Sequence, residues 1–249
     1  MMCTISDLLS TPGSFVIGHR GAAGLAPENT LPSFLCALDW RCPMIELDVH
    51  LASRSANEKE LVVIHDRKLS RTTSGKGLVS DHTLAQLRTL DAGEGALIPT
   101  LTEVFSLLQT HEAIHAQRVA LNIELKGAGT GREVAQWLAD LPSWPIVVSA
   151  FDHEELKLFR TLDAHTPVAP LFDKYRKDWL ETAQSLQAVG VNLSLKLASP
   201  QTVEEISEAG FPVSVYTVND PGIALKLKAR GVKGIFTDRP DLLMPALSG

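Results

Sequence analysis

Short apolar runs recur from one end of this chain to the other, and helix-period stretches separate most of them. The runs are FVIGH (15–19), MIELDVHL (44–51), LVVIHD (61–66), VALNIEL (119–125), PIVVSAF (145–151), VAPLF (168–172), VNLSL (191–195), PVSVYTV (212–218) and GIFTD (234–238). Between them, helices are expected from after Asn29 to Trp40 and over 100–115, 131–140, 153–163, 178–188, 200–209 and 220–230. Strands joined through helices run parallel, because a parallel neighbour needs a long crossover. The runs are rich in Val, Ile and Leu with little polar alternation, as expected for strands covered on both faces. No Pro/Ser-rich linker, charge block or low-complexity tract interrupts the pattern, so residues 1–249 are expected to form a single domain.

A closed (β/α)8 barrel needs eight strands, and nine runs are present. The junction from 44–51 to 61–66 contains no helix, only the polar stretch SRSANEKE. A turn centred between Ala56 and Asn57 would make 61–66 the returning arm of an antiparallel hairpin on the barrel rim, with Asp48 opposite His65. Eight barrel strands then remain, and a (β/α)8 TIM barrel is expected. An open doubly wound sheet is the alternative.

Lys and Arg number 23 against 29 Asp and Glu, a net charge of −6. Nucleic acid and anionic membrane call for basic surfaces, so neither is expected as a partner. An anionic small molecule stays open, since a few cations or a metal can reverse the field inside a cleft. The three cysteines, Cys3, Cys36 and Cys42, are odd in number and too sparse for a disulfide framework and are expected as reduced, mostly buried thiols. The opening MMCTISDLLSTPGS has neither a basic segment nor a long apolar one, and no window is apolar enough to span a bilayer. A cytoplasmic enzyme, monomeric or homodimeric and without stable membrane association, is expected.

Polar residues gather where these strands end. The first run ends in His19-Arg20-Gly21. The second carries Glu46 and Asp48, two residues apart and therefore on one face. The return arm ends in His65-Asp66, the 119–125 run carries Glu124 before Lys126, and the last ends in Thr237-Asp238. Alone, a strand-end carboxylate is usually a helix cap or a surface charge, and a lone His a structural residue. Carboxylates inside otherwise apolar strands are costly unless paired or metal-bound. Three of them converging on the carboxyl rim of a barrel describe a site for a hard divalent cation, Mg2+ or Ca2+, with room for water and substrate. Zinc would more often recruit Cys or several His.

The ordered motifs GHRGAAGLAPENTLPSF (18–34), MIELDVHL (44–51), LVVIHDRKLSRTTSGKG (61–77), LNIELK (121–126), VYTVND (215–220) and GVKGIFTDRPD (231–241) give this chain a close resemblance to the glycerophosphodiester phosphodiesterases. Within that family it is most similar to the bacterial cytosolic type linked to glycerophosphodiester uptake. The resemblance implies a barrel of the phospholipase C-like phosphodiesterase type. It implies Glu46, Asp48 and Glu124 as ligands of one divalent cation, His19 and His65 as the acid/base pair, and Arg20 and Lys126 as the phosphate-binding cations. It suggests His19 as the proton acceptor and His65 as the donor. Tyr216 stands where many relatives carry Trp and is expected against the glycerol side of the cleft. A small-molecule glycerophosphodiester would be cut to sn-glycerol 3-phosphate and an alcohol through a cyclic phosphate.

Other signals carry less. His111-Glu112-Ala113-Ile114-His115 matches a zinc-protease helix motif, but it leads straight into the 119–125 strand and so belongs at the opposite end of the barrel. Gly127-Ala128-Gly129-Thr130-Gly131 lacks the GK[ST] ending of a nucleotide loop and is expected as a βα loop with Thr130 or Gly131 at a helix start. Ser70-Arg71-Thr72-Thr73 fits a substrate contact and a plain polar loop equally. Asp66 and Asp238 are expected to hydrogen-bond locally. Two competing functions are a lysophospholipase D, which would want an amphipathic basic entry segment, and a barrel that binds phosphodiesters without turnover, which would lack one of the site residues.

Overall fold

A computed structural model describes residues 4–53 and 58–248 of the chain. Its strands are β1 (Phe15–Gly18), β2 (Met44–Ser53), β3 (Lys59–Val63), β4 (Ala120–Leu125), β5 (Ile146–Ala150), β6 (Val168–Phe172), β7 (Val191–Ser194), β8 (Val213–Tyr216) and β9 (Gly234–Thr237). Its helices are α1 (Ile5–Ser10), α2 (Leu31–Asp39), α3 (Leu84–Leu87), α4 (Leu101–His115), α5 (Thr130–Ala139), α6 (His153–Leu162), α7 (Trp179–Ser185), α8 (Pro200–Glu208), α9 (Pro221–Ala229) and α10 (Pro240–Leu247). The strand order is β1-β9-β8-β7-β6-β5-β4-β2-β3, and β1 also pairs with β2, Ile17 against Met44 and Gly18 against Ile45. Eight parallel strands therefore close into a barrel, with β3 added antiparallel to β2. The open doubly wound sheet is excluded by that closure.

Local chemistry starts the helices where the apolar period predicts them. Thr30 accepts a hydrogen bond from the Ser33 N–H, Ser199 from that of Thr202 and Asp220 from that of Ile223, so orphan donors of the first turn are satisfied. Thr100 and Glu103 form a reciprocal capping box at α4. Proline opens α8 and α9, where its missing N–H costs nothing. The sequence pattern did not reveal α1, α3 or α10. The first two are too short to display a period, and α10 contains Pro245, which reads as a break.

The rim hairpin forms, with one correction. The pairs are Val49 with Val63, His50 with Val62, Leu51 with Leu61, Ala52 with Glu60 and Ser53 with Lys59. Asp48 thus aligns with Ile64, whose N–H donates to the Asp48 carbonyl at 3.0 Å, and not with His65. Four apolar residues in a row, Leu61 to Ile64, suit either face, so alternation carries no register information there. The turn at Ala56 and Asn57 lies outside the described residues, as does Cys3. Cys36 and Cys42 are free thiols, half-buried and buried.

The pleat sorts side chains into an outer and an inner set. Ile45, Leu47, Val49, Leu121, Ile123 and Val148 face outward under the helices. Inside, Ile17, Met44, Ala120, Val147, Ala169 and Phe236 fill the amino-terminal end, which Ile5 and Leu8 of α1 close. Burying those two α1 side chains contributes about 1.5–3 kcal/mol each. Toward the carboxyl ends the inner set turns polar, with Ser149 donating to Asn122 at 2.9 Å and Glu46, Asp48 and Glu124 above. Between β3 and α4 the chain makes a long excursion beside this rim. It has a small core of its own from Val62, Ile64, Leu69, Val79, Leu87, Ala92 and Ile98. No described helix is long and apolar enough to cross a membrane.

Candidate active site

Alternation on β2 puts Glu46, Asp48 and His50 on the inner face, and parallel pairing sets Asp48 beside Glu124 of β4. All three carboxylates are buried, and each offers an oxygen within 4.8 Å of the others. One oxygen of Glu46 and one of Asp48 is already held. Glu46 Oε2 accepts the Arg20 N–H at 2.8 Å, and Asp48 Oδ2 accepts Asn29 Nδ2 at 2.8 Å. Glu46 Oε1 has no hydrogen-bond partner. Asp48 Oδ1 and Glu124 Oε1 face the Lys126 ammonium, at 3.2 Å for Asp48 and in contact for Glu124. Convergent buried carboxylate oxygens with free lone pairs are the donor set of a hard divalent cation, so the residues present fit one.

The backbone at the first rim loop is shaped for this. Arg20 and Asn29 both have left-handed φ, 52° and 58°, and Gly21 follows at 84°. A Cβ on Gly21 would meet Ser33 at 2.5–2.7 Å, so only glycine fits the turn that aims the Arg20 N–H at Glu46. The Arg20 side chain places Nη1 on Glu28 at 2.8 Å and Nε 3.3 Å from Asp48.

Both imidazoles are backed by aspartate. His19 Nδ1 lies 2.6 Å from Asp238 Oδ1, and Asp238 Oδ2 accepts Asn219 Nδ2 at 2.8 Å. His65 Nδ1 lies 2.7 Å from Asp66 Oδ1, and the His65 carbonyl lies 3.1 Å from His50 Nε2. An ionised carboxylate only accepts, so Nδ1 carries the proton in each ring and Nε2 is free for chemistry. Despite the shifted register, the chain bends after β3 and brings His65 within electrostatic reach of Asp48, Lys126 and Arg20.

Charge is divided unevenly among the carboxylates. Burial, then Asp48 and Glu124, push Glu46 well above the ordinary carboxylate range. Burial also works against Asp48, but Lys126, Arg20 and His65 outweigh it and bring Asp48 down to about 2. Burial and Asp48 raise Glu124 to about 7 in spite of Lys126. Burial depresses His65 below the usual imidazole value. Three buried anions without a compensating ion do not all stay charged.

The aromatic wall lies beside the same cluster. Phe151 stacks edge-on against Tyr216 at 5.8 Å, and Lys126 lies 5.3 Å from the Phe151 ring centre. Tyr216 also donates its hydroxyl to the Phe172 carbonyl at 2.8 Å. The other signals resolve as structure. Glu155 of α6 accepts the N–H groups of Gly129 at 2.8 Å and Gly131 at 3.0 Å, filling the start of α5 with a carboxylate of the chain itself. Glu112 pairs with Arg118 at 2.7 Å, and His111 and His115 join no third ligand among the described residues.

The family model for glycerophosphoryl diester phosphodiesterases matches residues 19–242. The chain belongs to that family. Bacillus subtilis YhdW is 36% identical over 92% of this chain and 96% of its own length. The glycerophosphodiester phosphodiesterase of Bacillus altitudinis is 33% identical, over 91% of this chain and 95% of its own. Among solved structures, a phosphodiesterase of Oleispira antarctica in complex with the product sn-glycerol-3-phosphate superposes with a TM-score of 0.86 at 29% identity, covering 95% of this chain and 98% of that one.

Every residue singled out from sequence, His19, Arg20, Glu46, Asp48, His65, Glu124, Lys126 and Tyr216, lies at the carboxyl rim of this phosphodiesterase-family barrel. Sequence reasoning missed Glu28, Asn29, His50, Phe151 and Asn219 as members of the rim. His50 alone had a readable signal, the i+2 spacing from Asp48.

Proposed function

We propose that this chain acts as one unit that hydrolyses small glycerophosphodiesters to sn-glycerol 3-phosphate and an alcohol, using one divalent cation, Mg2+ or Ca2+. The observation that carries the reading is the trio of buried carboxylates with converging oxygens beside two aspartate-backed imidazoles. The product in the Oleispira relative supports the same substrate class for this chain. Glu46, Asp48 and Glu124 would hold the ion. When bound, it supplies positive charge that neutralises the phosphoryl oxygens as negative charge builds on them.

The chain's own groups account for the remaining steps. Arg20 and Lys126 bind the non-bridging oxygens, and the wall of Tyr216 and Phe151 orients the glycerol. His19 Nε2 takes the proton of the glycerol C2 hydroxyl as that oxygen attacks phosphorus. Protonated His65 gives its proton to the departing alcohol oxygen, which leaves a five-membered cyclic phosphate. Water then opens the ring with the two imidazoles in reversed roles, and both return to their starting states. A histidine held below its ordinary pKa is a strong proton donor once charged, and an anionic diester beside His65 favours that charge.

The test is to incubate the protein with glycerophosphocholine, with and without EDTA, and to assay glycerol 3-phosphate. Release that EDTA abolishes and added Mg2+ or Ca2+ restores is expected. Undiminished release in EDTA would remove the ion from the mechanism, and no release under any condition would remove the substrate class.

A further inference from the structure

Arg71 ends a short turn, Leu69–Arg71, in the excursion between β3 and α4, and both edges of its guanidinium are occupied. Toward Glu28, Nη1 donates at 2.8 Å and Nη2 at 2.7 Å. Toward Asp66, Nε donates at 2.5 Å and Nη2 at 3.1 Å. Each acceptor touches a second residue. Glu28 Oε1 also takes Arg20 Nη1 at 2.8 Å, and Asp66 Oδ1 also faces His65 Nδ1 at 2.7 Å. One arginine thus links the imidazole on one side of the cleft to the guanidinium on the other.

Arg71 is 46% exposed, where ion pairs contribute little to stability, so holding the fold together is a poor account of four hydrogen bonds. Two bidentate forks at right positions fix direction, which a lysine point charge does not. His19 is arranged differently: its aspartate accepts from the neutral Asn219 amide rather than from an arginine fork.

We propose that Arg71 is a positioning residue for phosphodiester cleavage: it fixes His65 through Asp66 and Arg20 through Glu28, so that both address the same phosphoryl group. This rests on the reading above, in which His65 protonates the departing oxygen. Without Arg71, Asp66 is free to turn away from His65, and Glu28 is left to pull on Arg20 alone.

The experiment compares two substrates, glycerophosphocholine and the glycerophospho-p-nitrophenyl ester. The rate compared is single-turnover release of the alcohol, which precedes ring opening and so reads His65 only as the donor. The nitrophenolate departs without a proton, so misplacing the donor costs little there. Wild-type hydrolysis of both tests the proposed function by itself. Arg71→Met should lower the single-turnover rate on the choline ester by roughly 10–100-fold. On the nitrophenyl ester that rate should stay within about threefold, with half-saturation raised severalfold for both as Arg20 loosens. Arg71→Lys should leave the choline-ester rate low, because charge without the fork does not orient Asp66. Asp66→Asn should give the same leaving-group-selective loss, and the double variant Arg71→Met/Asp66→Asn should lose no more than the larger single loss. Equal losses of the single-turnover rate on both esters, additive losses in the double variant, or an unaltered rate on the choline ester would each overturn the proposal.

Discussion

Glu46 and Asp48 stand two residues apart on one strand, yet their surroundings treat them oppositely. Glu46 has two anions and little positive charge of its own, and it is pushed toward its neutral form. Asp48 has Lys126 at 3.2 Å, Arg20 at 3.3 Å and Asn29 at 2.8 Å, and it stays ionised. Glu46→Gln imitates the neutral form, so with chelator present its thermal midpoint should match or exceed that of the wild type, while activity falls by orders of magnitude. Asp48→Asn should lose activity similarly but destabilise, by about 3 kcal/mol, because it leaves buried cations uncompensated. Equal stability of the two variants in urea titrations would contradict this division of charge. The nucleophile belongs to the same scale. Among the described residues no serine or cysteine is hydrogen-bonded to an imidazole, and a hydroxyl held beside phosphorus has a proximity advantage of up to about 7–11 kcal/mol. A 2-deoxyglycerol analogue should therefore bind as well as the natural diester and turn over at least about 100-fold more slowly; cleavage at the normal rate would favour direct attack by water. Single residues differed in how readable they were. Glu46, Asp48 and Glu124 betrayed themselves as charges inside apolar runs. Glu28 and Arg71 lie 43 residues apart, and no local pattern encodes the contact between them.

Elements were legible where length gave the apolar period room to appear. The helices from α4 to α6 begin within a residue of their expected starts, each marked by a Thr, Gly or Asp cap. The hairpin was readable as a hairpin but not in register, because Leu61-Val62-Val63-Ile64 is apolar on both faces. The GAGTG segment was readable as a helix start, but not its ligand, since Glu155 approaches from the next helix. Glu155→Ala should strip one buried and one half-buried N–H group of their acceptor and cost about 1–3 kcal/mol. Glu155→Gln keeps an acceptor oxygen and should recover part of that stability. Amide exchange at Gly129 and Gly131 is the direct measurement, and unchanged protection in Glu155→Ala would show that the cap is dispensable.

At the scale of the whole molecule, the buried carboxylates tie folding to pH and to the ion. A carboxyl group raised on folding, as Glu124 is from 4.5 to about 7, binds a proton in the native state that the unfolded chain has lost. Its contribution is therefore present below pH 4.5 and is lost as pH rises to about 7, by about 3 kcal/mol at most. Glu46 acts in the same direction. The depressed imidazoles of His50 and His65 act oppositely, since the unfolded chain gains their protons first as pH falls below 6.5. Asp66, lowered to about 2 mainly by its bond to Arg71, contributes stability above pH 3.8 that disappears as pH falls through about 2. Opposing signs make the raw pH profile a poor test, so the measurement is a difference. Unfolding free energies in excess divalent ion, minus those in EDTA, largely cancel groups remote from the site. The ion must displace protons from Glu46 and Glu124 at low pH but meets ionised ligands at high pH. Its stabilising increment should accordingly grow between pH 4.5 and 7.5, reaching about 2.7 kcal/mol where its concentration is a hundred times the dissociation constant. The slope should flatten in Glu124→Gln, which has no proton to displace. An increment independent of pH, or one unaltered by Glu124→Gln, would mean that the ion binds somewhere other than these three carboxylates.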